Sequence, residues 1–458
     1  MSAPKRQDYL QTAAGIAAQL CRDALWDGAR CNWLGSSMEP VGNAWAVVQR
    51  SFGPELYGGT SGIALFLARA HQMTGERIFR KTAEGAIRHA ESRIALDTPP
   101  NTRVAFYSGY TGLAYVLIEA GAAFEDEELT GRGMRLLNAL AGGDNTEQEV
   151  DIISGYAGAI PALLAIYTRH RQEFLLELAE ELGEQLLKRA AKSDIGWSWQ
   201  TLGTSTLHDL TGFAHGTAGI GHALLELNRA TGKAQFLEAA EQAFRYERHW
   251  FSPAHENWPD FRNLDDGQQV DMSANLNYGV AWCHGAPGIG LSRVRAYSLL
   301  REGAYRAEAE AALRTVMRSV SPSTGGWGNY SLCHGLAGNA ELLICAARAL
   351  GDSSYKAMAD AVGDSGIAQY GQQNMPWPCG VMGGGENPSL MLGLAGIGYF
   401  YLRLYDPDKV PSVLILQPDT GKKSTDSASH DGRTGTNAQR RRDAKAQSTR
   451  KKKKGPVR

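Results

Sequence analysis

Two copies of Cys-His-Gly-x-x-Gly, Cys283-His284-Gly285-Ala286-Pro287-Gly288 and Cys333-His334-Gly335-Leu336-Ala337-Gly338, stand 50 residues apart. Thiolate and imidazole together suit zinc, and a Cys2His set leaves the fourth position of a tetrahedral ion open to water or substrate. Two thiolates cancel the charge of Zn2+, so an incoming substrate thiolate would be bound yet remain electron-rich. Both histidines directly follow a cysteine, and spacing leaves the third ligand open between His284 and His334. A single copy is equally well explained by small side chains filling a helix start; two copies on neighbouring units favour a metal.

The motif belongs to a longer series. Seven Gly-x-x-Gly copies, beginning at Gly59, Gly109, Gly155, Gly216, Gly285, Gly335 and Gly393, each open a small, apolar run. Gaps of 50, 46, 61, 69, 50 and 58 residues are those of an array of helical hairpins with variable loops. Between the motifs lie amphipathic, charged segments such as 173–188, with apolar residues three or four apart. The apolar helices must be buried nearly all round, so they form an inner layer beneath an outer amphipathic one. Residues 8–24 read as a further helix, followed by an irregular, Trp-rich segment; strand signals are weak throughout. The last unit is as apolar as the middle ones, whereas an open solenoid needs polar caps. Seven inner helices spaced ~10 Å apart close into a ring with a radius near ~11 Å. The expected fold is all-α, a closed α/α toroid of seven helical hairpins.

The position before each first glycine is Gly58, Ser108, Ser154, His215, His284, His334 and Leu392 in turn, and the one before that is Tyr57, Tyr107, Ile153, Ala214, Cys283, Cys333 and Met391. Polar chemistry is therefore confined to units four to six. Asp151, four residues before Gly155, addresses the same rim from unit three. Residues at that rim meet the unpaired N–H groups and positive dipole end of a helix, which favour anions and lower thiol pKa values. His215 has no cysteine neighbour and suits acid–base work better than ligation. His208, His222, His249 and His255 lack such support and read as ordinary surface or packed residues. Cys31, beside Trp33, reads as a small buried hydrophobe.

Composition narrows the classes. No run of 18 uncharged apolar residues exists, so no membrane span is expected. The N-terminus lacks a signal-peptide core, and six scattered cysteines suit metal binding in a reducing cytoplasm better than a disulfide framework. Residues 421–458 hold 13 Lys/Arg against 3 Asp/Glu, which leaves 1–420 at a net −11. Such an acidic body argues against nucleic acid as a partner. The domains expected are the toroid over 1–416 and a disordered basic tail over 417–458, read as a solvated extension.

The series Asp-Ile-Ile-Ser-Gly-Tyr-Ala-Gly (151–158), Ala-His-Gly-Thr-Ala-Gly (214–219), Trp-Cys-His-Gly-Ala-Pro-Gly (282–288) and Cys-His-Gly-Leu-Ala-Gly-Asn (333–339) resembles the LanC-like lanthionine cyclases. The resemblance implies a toroid of seven inner and seven outer helices, and a zinc ion held by Cys283, Cys333 and His334. It sets His284 beside the metal and makes His215 and Asp151 proton-handling partners. Stand-alone cyclases carry an arginine four places before the first zinc cysteine and a tyrosine after it; here these are Gly279 and His284. The Trp-Cys-His-Gly-Ala-Pro-Gly form is closer to the cyclase halves of bifunctional LanM-type synthetases. The implied activity is addition of a peptide cysteine to dehydroalanine or dehydrobutyrine in a leader-bearing precursor, dehydrated by a separate dehydratase. Two alternatives stand beside it: addition of a small thiol such as glutathione, and a peptide-binding scaffold with a structural zinc. A toroid prenyltransferase lacks its Asp-x-x-Asp-type ligands here.

Overall fold

The structure is a computed structural model that describes residues 3–418, apart from 42–43, 203–205, 207, 263–275, 322–327 and 382. Among the described residues are fourteen α-helices in two concentric layers. The inner layer is α2 (Thr60–Thr74), α4 (Tyr110–Phe124), α6 (Tyr156–His170), α8 (Thr217–Thr231), α10 (Ala286–Leu300), α12 (Leu336–Leu350) and α14 (Leu394–Tyr405). Each begins at the residue after a motif's first glycine and is buried over most of its length. The outer layer is α3 (Arg77–Asp97), α5 (Glu127–Ala141), α7 (Glu173–Arg189), α9 (Ala234–His249), α11 (Gly303–Val320), α13 (Ser353–Gly366) and α1 (Ala3–Asp23). Unit seven has no outer helix of its own downstream. The first helix of the chain takes that place, packing on α14 and tied to α13 by the Tyr9 hydroxyl, which donates to Asp364 Oδ1 at 2.8 Å.

Closure is written in the backbone at the rim. Tyr57 N–H donates to Tyr107 O, Ile152 to Ala214 O, Ala214 to Cys283 O, Cys283 to Cys333 O, Cys333 to Met391 O and Met391 back to Tyr57 O, all at 2.9–3.3 Å. The remaining step, from unit two to unit three, is made by the Ser108 hydroxyl on Ile153 O at 3.1 Å. The position two residues before the first glycine takes part in the circle in all seven units, with Ser108 and Ile152 supplying the donors around unit three, and the buried backbone groups of these loops are paired by it.

The glycines are needed for close approach. Each loop folds back over the first turn of its own helix, so a Cβ on Gly288 would lie 2.0 Å from Trp282 O and one on Gly338 1.8 Å from Leu332 O. Any side chain there pushes the cysteine-bearing loop off the helix start. We expect Gly338→Ala to cost about 1–3 kcal/mol, read as a lower thermal midpoint; an unchanged midpoint would show that the loop relaxes without penalty.

Two further features differ from expectation. The Trp-rich segment after α1 is not irregular but forms two antiparallel hairpins, β1 (Leu25–Asp27) with β2 (Arg30–Asn32) and β3 (Leu34–Val41) with β4 (Ala44–Ser51); β5 (Ala191–Ser193) and β6 (Gly196–Ser198) make a third. These are local pairings appended to the helical ring. Second, the segment after α14 fills the centre of the toroid: Val410, Val413, Leu414 and Ile415 are buried, and Trp282 Nε1–H donates to Leu414 O at 2.9 Å. Tyr107 donates to Val413 O and Tyr399 to Pro411 O. Beneath the rim, Arg403 on α14 pairs with Glu341 on α12 at 2.6 Å in a buried bridge, and Arg295–Glu226 and Arg69–Glu119 join two more inner pairs. Residues up to Pro418 cluster as one compact unit. The basic tail expected from 417 lies, from 419 onward, outside the described residues.

Candidate active site

The rim loops bring Cys283 and Cys333 together. Cys283 precedes α10, Cys333 precedes α12, and the backbone bond from Cys283 N to Cys333 O sets the two loops side by side. Their thiols bias each other's ionisation, Cys283 downward and Cys333 upward. The neighbouring Cys333 holds Cys283 below the usual thiol range against the effect of burial, with Arg262 and His215 adding positive potential. Cys333 is pushed up by the neighbouring Cys283 and by burial. Tyr57, Tyr107 and Trp282 form an aromatic floor, with ring centroids 6.3 Å apart for the first pair and 5.5 Å for the second. Cys333 is buried while Cys283 is partly open, so the pair is reached from one side.

His215 and Asp151 form the second element. Asp151 Oδ2 accepts from His215 Nδ1 at 2.5 Å, and its Oδ1 accepts from Ser154 N at 2.6 Å, so the carboxylate is fixed from its own loop. A carboxylate on Nδ1 assigns the proton there and leaves Nε2 as the nitrogen available for proton exchange. Burial pulls the His215 pKa down, but the Asp151 hydrogen bond and charge outweigh it, and the net direction is upward. The rings of His215 and His284 stack with centroids 6.0 Å apart. His284 is 3 % exposed, and burial pushes its pKa to about 4 despite the Asp260 carboxylate 3.9 Å from Nδ1. It is a neutral imidazole at neutral pH.

His334 is exposed, and its Nε2–H donates to the Gly380 carbonyl at 2.9 Å. No group of three or more His, Cys, Asp or Glu side chains is gathered for a metal ion among the described residues. The chemistry of the donors nonetheless fits zinc: two thiols already in contact, and a neighbouring histidine whose proton sits on Nε2, leaving the Nδ1 lone pair to ligate. Donation of the distal ring N–H to a backbone carbonyl is the usual support of a ligating histidine.

Sequence reasoning missed Asp260 and Arg262. Arg262 Nε lies 3.0 and 3.1 Å from the two Asp260 oxygens, and Nη2 lies 2.6 Å from Oδ2. The pair stands outside the repeated loops, and no spacing in the chain marks it. It brings a guanidinium to a rim where the Gly279 position supplies none. The histidines set aside earlier lie elsewhere: His222 is fully buried against Phe213, His208 rests on Trp250 and His255 on Tyr278. Cys31 is buried with its thiol on Thr82 O at 3.3 Å.

Comparison with known proteins gives a consistent picture. The chain matches the family described as "Lanthionine synthetase C-like protein" over residues 51–415. It is 24% identical over 343 residues to the nisin biosynthesis protein NisC of Lactococcus lactis, covering 69% of this chain and 80% of that one. It is 22% identical over 367 residues to the glutathione S-transferase LANCL1 of Danio rerio, covering 77% and 82%. The lacticin 481/lactococcin biosynthesis protein LcnDR2 of L. lactis is 23% identical over 262 residues, 55% of this chain but only 25% of that longer protein. Among solved structures, nisin cyclase superposes with a TM-score of 0.57 at 18% identity, covering 78% of this chain and 90% of the other, which shows the shared fold.

Proposed function

Because this chain belongs to the lanthionine synthetase C-like family, we propose that it is a zinc-dependent cyclase closing thioether rings in a dehydrated precursor peptide. The observation that carries the reading is the Cys283–Cys333 thiol contact on the same rim as the Asp151–His215 pair. Cys283, Cys333 and His334 would hold Zn2+, which when bound lowers the pKa of a substrate thiol from about 8.5 so that thiolate exists at neutral pH. The chain's residues do the rest. The open side at Cys283 admits the peptide cysteine while Tyr57, Tyr107 and Trp282 close the floor to water. Sulfur attacks the β-carbon of dehydroalanine or dehydrobutyrine, the C–S bond forms, and the π electrons pass to the carbonyl oxygen. His215, protonated, gives its Nε2 proton to the α-carbon and restores the carbonyl; Asp151 fixes its orientation and keeps the imidazolium accessible. His284, neutral, buried and with both ring nitrogens unpartnered among the described residues, would polarise the same carbonyl once substrate entry uncovers one of them. The leader-bearing precursor would come from a separate dehydratase.

The test is incubation of the full chain with a synthetic peptide bearing one dehydroalanine and one cysteine. Ring closure leaves the mass unchanged and removes the free thiol. Retention of the thiol by zinc-loaded protein would overturn the proposal. The second reading, glutathione addition, is favoured by the likeness to the zebrafish transferase; in the same assay with glutathione present it adds the mass of glutathione to the peptide.

The Asp151–His215 contact also sets a pH dependence. A proton donor works below its folded pKa, so the rate should fall as pH rises through the raised value of His215. Asp151→Asn removes the charge that raises it and leaves burial, which lowers it. The alkaline limb of the kcat profile should therefore move to lower pH; a limb that stays in place would separate Asp151 from proton transfer.

A further inference from the structure

We infer that Arg262 is a substrate-contacting residue of this site: its guanidinium, gripped by Asp260, presents its remaining Nη1 donor to the carbonyl oxygen on which negative charge builds during thiol addition. The inference rests on the cyclase reading and deepens it.

The geometry starts with Asp260. Its backbone N–H is bound to Asn277 O at 2.8 Å, it is 6 % exposed, and one carboxylate oxygen also accepts the Arg262 backbone N–H at 3.1 Å. The carboxylate takes Nε and Nη2 of Arg262 along one edge of the guanidinium. The planar fork is thus fixed in rotation, unlike an ammonium on a flexible stem. Nη1 makes no hydrogen bond among the described residues, and the side chain is 35% exposed against 4% for Asp260. One edge is therefore spent on anchoring, and the other has no partner among the described residues.

The anchor also locates the pair. Asp260 Oδ1 lies 3.9 Å from Nδ1 of His284, whose ring stacks on His215. The Arg262 charge acts on Cys283, Cys333, His215 and His284 alike. The anchored guanidinium thus stands beside the His284–His215 stack with one donor unspent among the described residues. In the addition step a sulfur lone pair forms the C–S bond, the carbon–carbon π bond breaks, and its electrons appear on the carbonyl oxygen. Arg262 donates a hydrogen bond to that oxygen without giving up its proton. When the α-carbon is protonated by His215 the carbonyl re-forms and the hydrogen bond weakens. The interaction is strongest in the transition state, which is the condition for raising kcat.

The experiment measures kcat and KM for thiol loss from the dehydroalanine–cysteine peptide, with zinc content and thermal midpoint, for wild type, Arg262→Gln and Arg262→Lys. Arg262→Gln should lower kcat by about 10²–10³-fold, the usual effect of deleting one oxyanion donor, with KM changed far less and zinc content equal to wild type. Arg262→Lys should lie between the two, because its charge is kept while the fork that serves Asp260 and substrate together is lost. Arg262→Gln within threefold of wild-type kcat overturns the inference, as does loss of zinc in parallel with activity, since either makes Arg262 structural. Should Arg262→Gln fail to fold, a folded Arg262→Lys with full kcat overturns it. A wild-type chain that leaves the peptide thiol free overturns the cyclase reading and this inference with it, whereas an active wild type with an indifferent Arg262→Gln removes the inference alone.

Discussion

Cys283→Ala is expected to reduce zinc from about one per chain to almost none, and to abolish ring formation with it. The size of the effect follows from the site. Cys283 is the more open of the two sulfurs and sits below the usual thiol range, whereas Cys333 is pushed up and buried. Cys283 is thus the readier thiolate donor. Removing it leaves Cys333 and His334, and two ligands do not hold zinc against dilution. The alanine fits sterically, since cysteine is only slightly larger, and the rim bonds use the Cys283 backbone rather than its sulfur. The protein should stay folded, which makes metal content the decisive measurement. A Cys283→Ala protein that keeps its zinc and its full rate would remove the metal scheme altogether. Zinc retained with activity lost would instead point to a structural ion.

His215→Ala should do the opposite: zinc remains near the wild-type amount while turnover falls by about 10²–10⁴-fold, the range for a positioned acid. His215 has no cysteine neighbour, and its ring is committed through Nδ1 to Asp151 at 2.5 Å. Nothing in that arrangement ties it to metal retention. Removal leaves Asp151 with Ser154 N as partner and part of its negative charge uncompensated, so a modest fall in thermal midpoint is expected too. The diagnostic result is the split between metal content and rate. If His215→Ala lost zinc as fully as Cys283→Ala, the histidine would be a ligand and the proton would come from elsewhere. If it turned over at the wild-type rate, the Asp151–His215 pair would be reduced to a structural tie between units three and four.

Much of this was legible because the repeated element is a local device. Gly-x-x-Gly recurs since every loop folds back on its own helix, and Cβ atoms at Gly288 and Gly338 would meet carbonyls at 2.0 and 1.8 Å. A constraint acting within six residues leaves its mark in the chain at each occurrence. The rim position of Cys283, Cys333, His215 and Asp151 followed from the same offset. The hairpins β1–β4 were missed because β1 and β2 are only three residues long, while the eight-residue β3 and β4 leave apolar residues such as Leu34 and Val47 exposed. They carry little of the alternation that marks a half-buried strand.

The sequence by itself determined seven inner helices, a polar rim on units three to six, and the residue types that could bind a metal there. Periodicity and glycine spacing express burial and local backbone contact, both of which act over a few residues. Only the tertiary structure decided that the chain's first helix serves as the outer partner of its last, and that residues 410–416 fill the centre. It alone showed Cys283 set beside Cys333 and His334 turning Nε2 to Gly380, and it brought the Asp260–Arg262 pair from outside the repeats to the rim. Those are meetings between residues far apart along the chain. Their energies depend on distance, burial and orientation in the closed ring, and none of these is carried by any one segment.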